Sequence, residues 1–191
     1  MSKKKVIAFV GMPGAGKGTC TNYLEETHDW PVVHFGSMVY EEVQRRGLHN
    51  VRDEMFVRTD MREKEGSAVL AKHAARKAQG YFDKGHTRVV LDGLYSWTEY
   101  KYLEEVFGDD LIVVAITAPK ALRRTRAVAR KDGHRTYTID QIVKREIDEI
   151  ENLEKGGPIA YADHTILNDQ DPFIMIETLE ILLKELNLIS K

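Results

Sequence analysis

Cysteine is almost missing from this chain: Cys20 stands alone among 191 residues. An internal disulfide and a cysteine-based zinc site are therefore excluded, and packing must supply the stability. A single thiol also fits a reducing compartment. Long apolar runs are lacking too, and none approaches the ~18 residues of a membrane span. Charge of one sign is not in excess, since 28 basic side chains face 30 acidic ones for a net charge of −2. A general nucleic-acid binder carries a basic surplus, so nucleic acid is not an expected partner and any polyanion site must be local. Internal repeats and low-complexity linkers are absent. The N-terminus MSKKKVIAFVG is basic and then apolar, as a signal peptide begins. Its apolar run covers only Val6 to Val10 before a glycine loop. It reads as a buried first strand, with the protein expected to be cytoplasmic and to have no membrane partner.

Hydrophobic residues make up 42% and charged residues 30%, the balance of a globular chain. The length suits one domain spanning 1–191, which buries roughly 70% of its unfolded surface. Short β-branched runs alternate with helical stretches. VIAFV (6–10), PVVHF (31–35), TRVVL (87–91), LIVVAI (111–116) and the weaker HTILN (164–168) read as strands buried on both faces. Lys17 to about His28 reads as a helix. Ile139, Ile142, Val143, Ile147, Ile150 and Leu153 recur at three and four, the stripe of a packed helix. Phe173 to Leu188 carries a similar stripe. Ser67 to Gln79 is alanine-rich and helical, though weakly capped at Ser67. Asp53 to Lys64 is polar and expected to be an exposed helix. Alternating strands and helices imply an α/β fold with a parallel five-stranded sheet and helices on both faces. The polar region 36–85 is too long for a loop and reads as a helical lobe over the carboxyl edge of the sheet.

The chemistry begins after the first strand. Gly11-Met12-Pro13-Gly14-Ala15-Gly16-Lys17-Gly18-Thr19 joins that strand to a helix, the context a phosphate-binding loop demands. Glycines let the backbone approach phosphate oxygens, successive N–H groups form an anion nest, and the helix N-terminus adds partial positive charge. Lys17 supplies a movable point charge for β/γ phosphates. The strict motif has Ser or Thr right after the lysine; here Gly18 intervenes before Thr19. Asp92-Gly93 ends the third strand, where a carboxylate can hold magnesium directly or through water. Arg123, Arg124, Arg126, Arg130 and Arg135 crowd the segment 120–137, and Arg145 follows one helix later. That density suits a lid whose cations neutralise a transferring phosphoryl group. The seven histidines show no metal-ligand spacing. Cys20 sits early in the loop's helix, where a helix N-terminus can lower a thiol's pKa.

These residues resemble the P-loop nucleoside-monophosphate kinase superfamily over nearly the whole chain. The resemblance rests on Gly11 to Lys17, Gly36-Ser37, Arg62 with Gly66, Asp92-Gly93, and Ile159-Ala160-Tyr161-Ala162-Asp163 with Asn168. It is similar to an adenylate kinase-like, dephospho-CoA kinase-related group. The resemblance implies a three-layer P-loop NTPase fold with a helical acceptor lobe (36–85) and a short lid (120–137). It implies ATP as donor and Mg²⁺ as cofactor. Donor contacts would come from Gly11, Pro13, Gly14, Ala15, Gly16, Lys17, Gly18, Thr19, Cys20, Arg126 and Asn168. Thr19 and Asp92 would serve the metal, and Lys17, Asp92, Arg126, Arg130, Arg135 and Arg145 the transfer itself.

Departures concentrate on the acceptor side. Adenylate kinases have TGDxxR after the second strand; here Ser37 and Tyr40 take the aspartate and arginine positions. Their DGFPR becomes Asp92-Gly93-Leu94-Tyr95-Ser96, and the lid's acidic pair becomes Tyr137-Thr138. Gly36, Ser37, Tyr40, Arg58, Arg62, Gly93 and Tyr95 are the acceptor-site candidates. Arg58 and Arg62 lie four apart on one helical face. Tyr40, Tyr95 and Trp97 are candidates for base stacking or for core. The expected activity is transfer from Mg-ATP to a small nucleotide-like acceptor. The alternatives are a dephospho-CoA kinase-like enzyme and a P-loop ATPase switch that binds protein or RNA. Nothing in the residues specifies the oligomeric state.

Overall fold

A computed structural model describes residues 4–48, 51–130 and 137–190. Five strands form one sheet: β1 (Lys5–Val10), β2 (Val32–His34), β3 (Arg88–Asp92), β4 (Leu111–Thr117) and β5 (His164–Leu167). Their order is β2-β3-β1-β4-β5, and every pairing is parallel. The two β1 ladders carry the register Phe9 to Asp92 on one side and Val10 to Ala115 on the other.

Helices cover both faces, as parallel strands require. The alternation along β1 assigns the layers. Val6, Ala8 and Val10 point into a core shared with α2 (Phe35–Arg45), α3 (Val51–Glu65), α4 (Val69–Asp83) and α5 (Trp97–Phe107). Ile7 and Phe9 point into a second core closed by α1 (Lys17–His28) and α9 (Pro172–Glu185). The remaining helices, α6 (Lys120–Ala129), α7 (Ile139–Glu151) and α8 (Gly156–Ala160), lie between β4 and β5 in the chain. No helix among the described residues is long and apolar enough to cross a membrane.

The strands and the first and last helices match the sequence expectations to within a few residues. Three expectations change. Region 36–85 is helical, but α2–α4 share one core with the sheet, so it is a packed layer continuous with the domain. α3 is not simply exposed, because Val57 and Met61 are buried. The α7 stripe is only partly turned inward. Ile139, Ile147 and Ile150 are about half exposed, at 48%, 46% and 53%, and the buried face is Ile142, Glu146 and Glu149. Buried carboxylates demand partners, and these have them. Glu146 accepts from Arg123 and from Arg124 Nε at 2.8 Å. Glu149 accepts from Arg145 Nε at 2.9 Å and from Lys155 Nζ at 2.5 Å.

Candidate active site

The phosphate loop leaves β1 at its carboxyl end and turns directly into α1. Two glycines make the turn possible. Gly14 (φ 76°) and Gly16 (φ 111°) occupy the left-handed region that side-chain-bearing residues avoid. Each also sits against a neighbour: a Cβ on Gly14 would strike the Arg123 carbonyl, and one on Gly16 would strike the Asn168 amide. The loop is therefore shaped by contacts with α6 and with the end of β5. Inside it, Lys17 Nζ donates to the carbonyl oxygens of Gly11 at 2.8 Å and Met12 at 3.4 Å. Burial, and then the nearby Lys155 ammonium, push the Lys17 pKa down to about 7. A cation held on carbonyls with its charge disfavoured is matched to an incoming polyanion. Thr19 is exposed one turn into α1, and Cys20 is fully buried in the core below. Burial pushes the Cys20 thiol up to about 12, the opposite of what its place near the helix N-terminus suggests.

Across the sheet edge, Asp92 closes β3 directly opposite His34 at the end of β2. Asp92 Oδ2 and His34 Nδ1 lie 3.0 Å apart. The hydrogen bond to Asp92 raises the His34 pKa, outweighing the opposing effect of burial. His34 was not singled out by any spacing in the sequence. Its signal was positional: it ends one short strand just as Asp92 ends the next. Ser37 donates to the His34 carbonyl at 2.9 Å and so closes the turn into α2. Gly36 is the second residue of that helix, and Tyr40 is exposed on it at 54%.

The arginines divide by what holds them. Arg123 and Arg124 are held by Glu146. Arg126 donates to the main-chain oxygens of Asn168 (2.8 Å) and Gln170 (3.3 Å), so it braces the loop after β5. Arg62 is bound to the fully buried Glu99 at 3.0 Å. Glu99 in turn accepts from the Tyr95 and Ser96 amides, so this pair shapes the turn that follows Asp92 and Gly93. Arg58 and Arg145 remain. The Arg58 guanidinium lies 5.6 Å from the Tyr95 ring centroid. Arg145 joins Lys155 on Glu149, and the Lys155 ammonium lies 4.6 Å from the same Tyr95 ring. Lys155, only 1% exposed, was missed in the sequence because it hides in the unremarkable turn Glu154-Lys155-Gly156-Gly157. Arg130 is exposed past the end of α6, and Arg135 lies outside the described residues.

Two further residues of the late motif act on the scaffold. Asn168 donates from its amide to the Ala15 carbonyl at 2.8 Å. Asp163 accepts from the Val113 amide at 2.7 Å and ties β4 to the start of β5. Trp97 stacks on Tyr100 (4.9 Å, 7°) and meets the edge of Tyr161. A cavity of about 480 Å³ beside it is lined by Ile150, Gly157 and Tyr161, among others, and by no residue of the phosphate loop.

The donor side suits a bound nucleotide and its metal. The glycine cradle leaves space where a Cβ would intrude, and Lys17 has carbonyl partners that a phosphate can replace. Thr19 and Asp92 offer the hard oxygen donors magnesium takes. Among the described residues no group of three acidic, imidazole or thiol side chains could hold a metal ion.

Comparison with known proteins bears on the family and the fold. A family model described as an AAA domain matches residues 10–155. A UPF0200/UPF0201 protein of Archaeoglobus fulgidus is 35% identical over 182 residues, covering 94% of this chain and 55% of its own length, so the chain spans about half of that relative. A UPF0200 protein of Methanosarcina acetivorans is 32% identical over 147 residues, covering 76% of each chain. Among solved structures, TT1252 from Thermus thermophilus superposes with a TM-score of 0.67 at 18% identity, covering 96% of this chain and 98% of that one. A shikimate kinase from Bacteroides thetaiotaomicron superposes with a TM-score of 0.60 at 12% identity, with the same coverage. A gluconokinase from Sinorhizobium meliloti 1021 gives 0.59 at 13%, covering both chains fully. At these identities the structures share the fold, which is that of P-loop kinases.

Proposed function

Since the chain belongs to the UPF0200 family and has the P-loop kinase fold, we propose that it is an ATP-dependent phosphotransferase acting on a small acceptor, with a nucleotide-like acceptor the leading choice. The observation that carries this reading is the pairing of two groups at one sheet edge. Lys17 is held on the carbonyls of its own loop, and Asp92 closes the strand beside β1.

The donor's polyphosphate would take the main-chain N–H groups of Gly14 to Thr19 and draw the Lys17 ammonium off Gly11 and Met12. Magnesium, held through Thr19 and Asp92 with water, would neutralise charge on the transferring oxygens. His34 holds one oxygen of Asp92 and so orients the carboxylate. The terminal phosphorus exchanges its bridging oxygen for an oxygen of the acceptor, and ADP leaves. A hydroxyl acceptor must also lose a proton, and Asp92 or another carboxylate would have to receive it. The protein contributes position and charge, with no covalent intermediate.

The switch reading is weakened by the lid arginines. Arg123, Arg124 and Arg126 are occupied by Glu146 and by main-chain carbonyls, so among the described residues these three do not stand free for RNA phosphates. The test is transfer of the γ-phosphoryl group from radiolabelled ATP over a panel of nucleoside monophosphates, dephospho-CoA and small hydroxy acids. Wild type should label one class, and Lys17→Ala should lose at least tenfold in kcat/KM. Equal transfer by both proteins would remove the assignment.

A further inference from the structure

Four cations and two carboxylates lie within electrostatic reach of one another beyond the ends of β1 and β3. The cations are Lys17, Arg58, Arg145 and Lys155; the acids are Asp92 and Glu149. Glu149 already serves both Arg145 and Lys155. Arg58 has no ion pair among the described residues, and its Nε is buried without a hydrogen-bond partner. Its nearest aromatic support is the Tyr95 ring, which also carries the Lys155 ammonium. Cation–π contact stabilises such groups only modestly and leaves their N–H donors unsatisfied. A partly buried surplus of positive charge is costly unless something neutralises it. A compact oxyanion would do so, because guanidinium and ammonium donors converge on it from three different elements.

The placement says what that anion belongs to. Tyr95 is three residues beyond Asp92, and Lys155 is the first charge whose proximity disfavours the Lys17 ammonium. The cluster therefore adjoins the phosphate-loop lysine without belonging to the phosphate loop. Apart from Lys17 itself, its cations come from α3, from α7 and from the turn after α7. We propose that Arg58, Arg145 and Lys155, gathered about Tyr95, bind the anionic group of the phosphoryl acceptor, so that the acceptor is a small molecule bearing a phosphate monoester or a carboxylate. This rests on the kinase reading for the word acceptor, but the anion site stands on its own geometry. It also accounts for the lost arginines at the positions of Tyr40 and Ser96: the anion is gripped from α3 and α7 instead.

The experiment measures binding to the whole chain by calorimetry, with Mg-ADP as the donor-side probe and inorganic phosphate, nucleoside monophosphates and hydroxy carboxylates as acceptor-side probes. Acceptor-side titrations are run with Mg-ADP saturating. Arg58 carries no ion pair, so Arg58→Gln keeps the folded protein without stranding a buried acid. It should weaken phosphate or the preferred acceptor probe by about tenfold or more and leave Mg-ADP within about twofold. Lys155→Met should do the same. Lys155→Arg, which keeps the cation on Glu149, should recover part of the loss if it folds. Circular dichroism separates a folding defect from a binding one. The two arms, phosphate esters against carboxylates, decide which oxyanion the site takes. Equal losses for Mg-ADP and for the acceptor probes would assign the cluster to the donor and overturn the proposal, as would unchanged acceptor binding in Arg58→Gln. If no acceptor is ever phosphorylated yet anion binding still depends on Arg58, the kinase reading fails and the anion site survives.

Discussion

The side-chain amide of Asn168 donates to the main-chain oxygen of Ala15 at 2.8 Å, joining the end of β5 to the middle of the phosphate loop across 153 positions of sequence. Asn168 is 3% exposed, and its neighbour in the loop, Gly16, has no room for a Cβ against it. Arg126 braces the same residue from the other side through its carbonyl. The loop that is to hold phosphate is thus clamped by residues far away in the chain. Asn168→Ala should leave the Ala15 oxygen without this partner at a cost of about 1–2 kcal/mol. Tm should fall by roughly 2–8 °C, and Mg-ADP affinity should fall with it, measured by thermal melts and calorimetry. Asn168→Leu should fare worse, since it adds bulk against Gly16. An Asn168→Ala protein that binds Mg-ADP as wild type does would separate the clamp from the function of the loop.

In the proposed site, Lys17 should make nucleotide binding dependent on pH. Its ligand-free pKa is about 7 because of burial and Lys155, and a bound polyphosphate must raise it. Above pH 7, binding therefore takes up a proton, and affinity falls as pH rises. At pH 8, calorimetry in buffers of different ionisation enthalpy should show uptake approaching one proton. The same shift acts on folding with a defined sign. Between pH 7 and 10.5 the unfolded chain binds more protons at this site than the folded one, so the contribution of Lys17 to stability rises with pH across that window. Lys17→Met should flatten this slope in urea titrations. Zero proton uptake at pH 8 would contradict the burial of this ammonium.

Glu146 is a buried acid on which two arginines depend. Replacing it by alanine leaves Arg123 and Arg124 facing each other with side chains only 12% and 25% exposed. The expected cost is about 3 kcal/mol, or a Tm lower by roughly 6–12 °C. Since the Arg123 carbonyl lies against Gly14, the loosening should reach the phosphate loop and reduce Mg-ADP affinity. Stability and affinity measured on one preparation check both halves.

Cys20 should be inert in the native protein. Burial pushes its thiol up to about 12, and its side chain is fully enclosed in the core under α1. A thiol reagent at pH 8 should label the denatured chain at once and the folded chain only as fast as it opens. Saturating Mg-ADP should slow that labelling further, because it stabilises the folded form. Rapid native labelling would show that α1 does not pack as described.

Much of the donor half was legible from residues alone, and the reason is local. The loop between Gly11 and Thr19 declares itself through glycines at fixed spacing, a lysine, a strand before it and a helix after it. The acceptor half was legible only as a set of missing arginines. Arg58 and Tyr95 could be nominated, but Lys155 could not, because nothing in a turn of Glu, Lys and two glycines marks a buried cation. Arg62 and Arg126 looked equivalent to Arg58 and Arg145 in the sequence. Only their neighbours, Glu99 for one and the Asn168 carbonyl for the other, show that they hold the scaffold.

The amino-acid order by itself determined the alternation of strand and helix, the parallel sheet and the phosphate loop, because backbone preference and apolar periodicity act over a few consecutive residues. Tertiary structure alone decided which charges are available. The face that α7 buries shows why. Its period was plain in the sequence, but period does not choose between an apolar face and one whose carboxylates meet cations brought from α6 and from Lys155. That choice depends on partners outside the helix, 22 and 23 residues back for Glu146 and six residues on for Glu149, and burying a charge is tolerable only where such a partner arrives.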